Sequence, residues 1–194
     1  MLISFSFTRI AVTVRRWFEV TPEAVMEHGS RIELGLLVPQ PHRGTESAAQ
    51  KLVIDQAFWR ADLFNKLDRP ASSFSAAHFH PHFDDVEPSA RQWSTDLTDD
   101  PWIWLTDQLT HIEARLSDAG LDPAIAVDDA DDIRGFIPQI VDTARQFSPE
   151  DPMSRDADFA LTKDAAERVR RMLVHVPTPD LVDRDYLGPW ISQR

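Results

Sequence analysis

The sequence predicts an α+β protein. An N-terminal antiparallel sheet of about four or five strands, over residues 5–83, packs with three C-terminal helices near 101–119, 132–147 and 163–176. Three observations carry this reading. Apolar residues alternate at period two through roughly the first 90 positions; three- and four-residue spacing replaces that alternation beyond Glu87-Pro88; and the acid is concentrated in the second half. Residues 1–97 hold ten Lys/Arg against twelve Asp/Glu, whereas residues 98–194 hold ten against twenty.

From Phe5 to Val20, the positions Ile10, Val12, Val14, Phe18 and Val20 recur at period two, interrupted by Arg16, and read as strand. Phe5 and Phe7 have the opposite parity, which places a bulge or turn near Thr8-Arg9. Thr21-Pro22-Glu23 resembles an N-cap followed by a first-turn proline, and His28-Gly29 a stop, so a short connecting helix is expected there. Ile32, Leu34, Leu36 and Val38 then share one face of a second strand. A polar, proline-bearing loop follows at residues 39–47, where Arg43 reads as a solvated loop arginine.

The third strand, about 52–64, puts Arg60 and Asp62 on one face and Trp59, Ala61 and Leu63 on the other. The fourth, about Ser73 to His80, carries Phe74, Ala76, His78 and His80 on a single face. If these strands pair as a hairpin, Arg60, Asp62, His78 and His80 share a face and form a candidate ligand site. The structural alternative is an Arg60–Asp62 ion pair closing over the sheet. Ser73 and Ser75 have the other parity, which disfavours a Ser–His nucleophile pair.

Asp100-Pro101 opens the clearest helix, with Trp102, Leu105, Leu109, Ile112 and Leu116 as its stripe and Gly120 as its stop. Ile133, Ile137, Ile140, Val141 and Ala144 define a second from about Asp132 to Phe147, in which Gly135 and Pro138 predict a kink or a later start. Asp128 to Asp132 lacks the glycine and terminal glutamate of a calcium loop and is expected to cap that helix. Val169, Met172, Leu173 and Val176 define the third, and residues 177–194 are expected to form an irregular docked tail.

At 194 residues and 42% hydrophobic content, the chain suits one domain, 1–194. The net charge of −12 disfavours non-specific nucleic-acid binding and favours basic partners. With no cysteine, disulfides, thiol nucleophiles and zinc–thiolate sites are excluded, so a metal would need His and carboxylate ligands. No apolar run approaches the ~18 residues of a membrane span, and no basic start precedes the apolar N-terminus, so a soluble, cytoplasmic protein is expected.

His78-Phe79-His80-Pro81-His82 is the chemically richest segment. His78, His80 and His82, with Glu87, form a candidate set of ligands for a divalent metal. His80-Pro81-His82 with Glu87 resembles the His-x-His-x₄-Glu spacing of the first cupin metal motif, but the flanking glycines are absent and the helical remainder leaves too few strands for a jelly roll. Pro81 is expected to end the strand and turn His82 away. The order of strand, turn and histidines is loosely similar to small bacterial toxin–antitoxin partner proteins, which implies a protein partner. The expected function is a protein- or ligand-binding module without catalytic activity, its partner a protein or an anionic small molecule. The alternative is a divalent-metal-dependent enzyme built on the histidine/carboxylate group.

Overall fold

The chain divides into two units, Met1–Glu150 and Asp151–Arg194. The computed structural model describes residues 1–20, 25–40, 52–70 and 72–148 of the first, and residues 163, 164, 167 and 170, all helical, of the second. Arg43, most of the third predicted helix and the predicted tail lie outside the described residues.

Among the described residues, five strands form one antiparallel sheet in sequence order: β1 (Leu2–Ser6), β2 (Ile10–Val20), β3 (Met26–Pro39), β4 (Leu52–Lys66) and β5 (His78–His80). A small hairpin, β6 (Phe83–Asp84) and β7 (Glu87–Pro88), follows. The helices come next: α1 (Thr95–Asp99), α2 (Pro101–Thr110), α3 (Ile112–Asp118), a 3₁₀ turn at Pro123–Ala126, and α4 (Ala130–Phe147).

Register assigns the two faces opposite characters. One set of neighbours across the strands reads Ile3, Val14, Ile32, Ala61, Phe79, and the next Phe5, Val12, Leu34, Trp59. This face is apolar and meets Leu97, Leu105, Leu109, Ile112, Ile133 and Ile140 of the helices in one buried core. Trp59 stacks on Trp104 at 6.0 Å and Phe79 tilts against the same ring at 5.3 Å, contacts that add about 0.5–1.5 kcal/mol each to simple burial. The other face reads Arg15, Arg31, Asp62, His78 on one line and Thr13, Glu33, Arg60, His80 on the next.

Several local expectations are corrected. Residues 26–29, expected at the end of a helix, belong to β3, while residues 21–24 lie outside the described part. Gly29 is required by crowding instead of by a helix stop: its φ is +157°, and a Cβ would lie 2.1 Å from the Leu63 carbonyl oxygen. The fourth predicted strand shrinks to His78–His80, because residues 72–77 form the returning turn, with positive φ at Ser72 (62°) and Phe74 (45°). The first predicted helix divides at His111, whose φ of −102° and ψ of 49° leave helical geometry. There the imidazole joins its own backbone N–H on the Asp107 carbonyl, at 2.9 Å and 3.1 Å. Conversely, α4 begins at Ala130 and runs through Gly135 and Pro138, both on its exposed side.

The acidic run before α4 performs a task that helix capping does not describe. Asp129 is fully buried, and its side chain makes no bond to its own helix. Oδ1 accepts the Thr8 N–H at 2.8 Å, and Oδ2 accepts those of Arg9 and Ile10 at 2.7 Å and 2.8 Å. The β1–β2 turn leaves three amides pointing inward, and one carboxylate satisfies them all.

We expect Asp129→Ala to lower unfolding free energy by about 3 kcal/mol or more, because it strands those amides, with Asp129→Asn recovering part of the loss in urea denaturation. Gly29→Ala should cost about 2–3 kcal/mol or more through its clash with the β4 backbone, read from the same curves.

Candidate functional site

The turn before β5 determines where its histidines point. Asn65 Oδ1 accepts the Phe74 N–H at 2.6 Å, Ser75 Oγ accepts the Lys66 N–H at 3.1 Å, and the Ala76 N–H donates to the Phe64 carbonyl at 3.1 Å. Three ties fix the return, so His78 pairs with Asp62 and His80 with Arg60 across β4 and β5. Ser75 thus holds backbone and the Ser73 hydroxyl donates to Asn65 Oδ1 at 3.4 Å, so these two serines are engaged away from the histidines.

Asp62 lies at the centre and is fully buried. Arg31, from the neighbouring strand, grips it with Nε on Oδ1 at 2.6 Å and Nη2 on Oδ2 at 3.0 Å. The expected Arg60–Asp62 pair is therefore replaced by a cross-strand one: residues two apart on a strand are farther from each other than residues opposite in register. Arg60 instead forks onto Glu33 Oε1 at 2.8 Å, and Arg15 takes the other Glu33 oxygen at 2.6 Å. Glu19 accepts from Arg31 at 3.1 Å, from Arg91 at 2.9 Å and from the Trp17 indole at 2.9 Å. Arg91 also reaches Glu27 at 3.4 Å. The Arg31 guanidinium lies 4.2 Å from the Trp17 ring centre and the Arg60 guanidinium 5.0 Å from that of Phe83.

His78 Nε2 stands 3.3 Å from Asp62 Oδ2, and His80 Nε2 stands 3.9 Å from the same oxygen. Their Nδ1 atoms are engaged elsewhere, His78 with the Ala76 carbonyl at 2.8 Å and His80 with that of Ser89 at 2.5 Å. Burial, the largest influence, pushes the His80 imidazole below its ordinary value against the opposing bond to Ser89. For Asp62, burial raises the carboxyl pKa, but hydrogen bonds from His78 and Arg31 outweigh it and hold the group below its usual range. Arg31 shows the corresponding balance, burial opposed by Asp62, and is raised.

Of the residues singled out in the sequence, Asp62, His78 and His80 converge, with Arg60 beside them and committed to Glu33. His82 does not join them. β5 ends at His80, and His82 lies half-exposed, 3.8 Å from Asp84. Glu87 is exposed in the small hairpin, opposite Asp84.

A second feature was not anticipated. On the helical side of β5, a cleft of about 570 Å³ is floored by Phe79 and Trp104 and lined by Asp96, Asp107, Asp118 and Arg115. A neighbouring hollow of about 450 Å³ shares Asp96, Trp104 and Asp107 and adds Asp99, Asp100 and Ile103. Arg115 donates to Gln108 Oε1 and pairs with Asp118 at 3.0 Å. Asp107 pairs with His111 at 3.2 Å. The only signal in the sequence was the acidity of the helical half, which does not say that five aspartates from three short helices share one surface.

No protein family, curated protein or solved structure matches this chain.

Removing Arg31 leaves Asp62 as an uncompensated buried charge, so Arg31→Met should cost about 3–5 kcal/mol. Replacing both partners, as in Arg31→Met with Asp62→Leu, should cost less than the two single losses combined. A carboxyl lowered on folding stabilises the protein above its unfolded pKa and loses that contribution as pH falls through the folded one. The double variant should therefore show a shallower loss of stability in acid, measured by denaturation at stepped pH.

Proposed function

We propose that the unit Met1–Glu150 is a binding module without catalytic activity, and that its cleft between β5 and α1–α3 takes a basic segment of a protein partner. The observation that carries this reading is a difference in how the two faces handle charge. On the charged face of the sheet, Arg15, Arg31, Arg60 and Arg91 are matched within the protein by Glu19, Glu27, Glu33 and Asp62. The cleft and its neighbouring hollow instead set five aspartates against Arg115 and His82; Asp118 pairs with Arg115, Asp107 with His111 and Asp100 caps α2, and the lining still carries an excess of acid.

Physical chemistry favours a cation there. Carboxylates around an aromatic floor attract a lysine ammonium or arginine guanidinium, and the Phe79 and Trp104 rings supply apolar area for its methylene stem. The cleft volume falls within the range of small-ligand pockets. The second hollow extends the same acidic track, as a chain bearing successive basic residues requires.

An anionic small molecule held by Arg60 is less well supported, because that guanidinium already forks onto Glu33. A divalent-metal enzyme needs substrate at the ligands, whereas Asp62, His78 and His80 are 0%, 1% and 5% exposed. Burial of all three favours the binding reading.

The test is a titration of the full chain with oligolysine and oligoglutamate peptides at low and moderate salt, followed by NMR and tryptophan fluorescence. Oligolysine should bind, shift the Trp104 indole resonance and weaken as salt rises, while oligoglutamate should not bind. Asp96→Asn combined with Asp107→Asn should weaken binding by about tenfold, or about 1.4 kcal/mol. Absence of oligolysine binding, or binding indifferent to that double variant, would sink the proposal.

A further inference from the structure

Independently of the cleft, the histidines of β5 raise a question about protons. Each Nδ1 lies at hydrogen-bonding distance from a backbone carbonyl, 2.8 Å for His78 and 2.5 Å for His80. A carbonyl oxygen only accepts, so each Nδ1 carries a hydrogen; the hydrogen that His78 Nε2 shares with Asp62 is then the one a metal ion displaces, leaving each Nε2 its lone pair. Those nitrogens are turned toward Asp62 Oδ2, and the three ligand atoms lie within 4.8 Å of one another. Once that hydrogen is displaced, the three donors face a common point that a cation can occupy.

The arrangement matches what a metal requires of histidine. The outer nitrogen is fixed on a carbonyl, which sets the tautomer and the plane of the ring, and the inner nitrogen is free to coordinate. Donors about 2.0–2.1 Å from a tetrahedral ion stand about 3.3 Å from one another. His78 Nε2 already stands 3.3 Å from Asp62 Oδ2, and His80 Nε2, at 3.9 Å, needs to close by roughly half an ångström. Arg31 Nε holds Oδ1 at 2.6 Å and Nη2 reaches Oδ2 at 3.0 Å, which orients the carboxylate while Oδ2 keeps a second lone pair for the side of the rings.

We propose that Asp62, His78 and His80 hold one divalent cation of intermediate softness, zinc, cobalt or nickel, in a buried site that braces β4 against β5. Two imidazoles with one carboxylate select these ions over magnesium and calcium, which prefer all-oxygen shells. The guanidinium on the same carboxylate opposes a second cation, so affinity is lower than in a site with an unpaired aspartate. The ion ties the last and shortest strand of the five-stranded sheet, three residues long, to the long β4. Its effect is thermal stability and not turnover.

The experiment uses the full chain freed of metal with a chelator. Zinc and magnesium are titrated by calorimetry and thermal melting, and cobalt(II) by visible absorption and proton NMR. One equivalent of zinc should bind and raise the melting temperature, and magnesium should do neither. Cobalt should give visible absorption bands and carry two exchangeable imidazole N–H resonances, those on the Nδ1 atoms, far outside the usual range. His78→Gln and His80→Gln should abolish the response, whereas His82→Gln and His111→Gln should preserve it. Absence of stoichiometric zinc binding, its persistence in the His78→Gln/His80→Gln double variant, or its loss in His82→Gln overturns the proposal. Should the β5 variants fail to fold, the wild-type cobalt spectrum decides: without two shifted imidazole protons the site is not the one named.

Discussion

A carboxylate removed from water must be matched at close range, and the matching of Asp62 by Arg31 organises one whole face of the sheet. The guanidinium spans both carboxylate oxygens and then reaches Glu19, which in turn draws in Arg91. One residue pair farther along the strands, Glu33 gathers Arg15 and Arg60 in the same manner. Among the described residues, Arg15, Arg31, Arg60 and Arg91 are thus each paired with carboxylate on that face, within a chain whose formal charge is −12. The unbalanced acid therefore lies elsewhere, and part of it rims the cleft. Charge neutrality on one surface and charge excess on another are two outcomes of the same demand, since only groups withdrawn from water need partners so close.

β5 joins the two features. His78 and His80 point to the charged face, while Phe79 between them points to the core and floors the cleft. Three residues thus serve two surfaces, through nothing more than the alternation of a strand. The bridge from Phe79 to Gln92, with backbone hydrogen bonds of 2.9 Å in each direction, secures the other edge of the same short strand.

Alternation is also why much of the arrangement was legible before any coordinates. Parity alone brought Arg60, Asp62, His78 and His80 to one face and Trp59 and Ala61 to the other. Parity cannot name partners, however. That Asp62 belongs to Arg31 depends on the register of β3 against β4, which backbone bonds set across strands and parity within one strand does not contain. Thr21-Pro22-Glu23 suggested a helix because capping residues act over a few positions, whereas the strand at 26–29 is held by pairing with β2 and β4 at once. The cleft was hidden for a related reason: Phe79, Asp96 and Asp118 become neighbours only after three helices have turned back on the sheet.

The buried carboxylate of Asp129 has a consequence for the β1–β2 turn. Its three amide partners at Thr8, Arg9 and Ile10 lie about 120 residues earlier in the chain. A hairpin normally completes its own turn locally and quickly, but this one has inward amides that only the start of α4 can satisfy. The final hydrogen bonds of the β1–β2 corner therefore exist only where the start of α4 lies against it, so the hairpin turn depends on long-range packing.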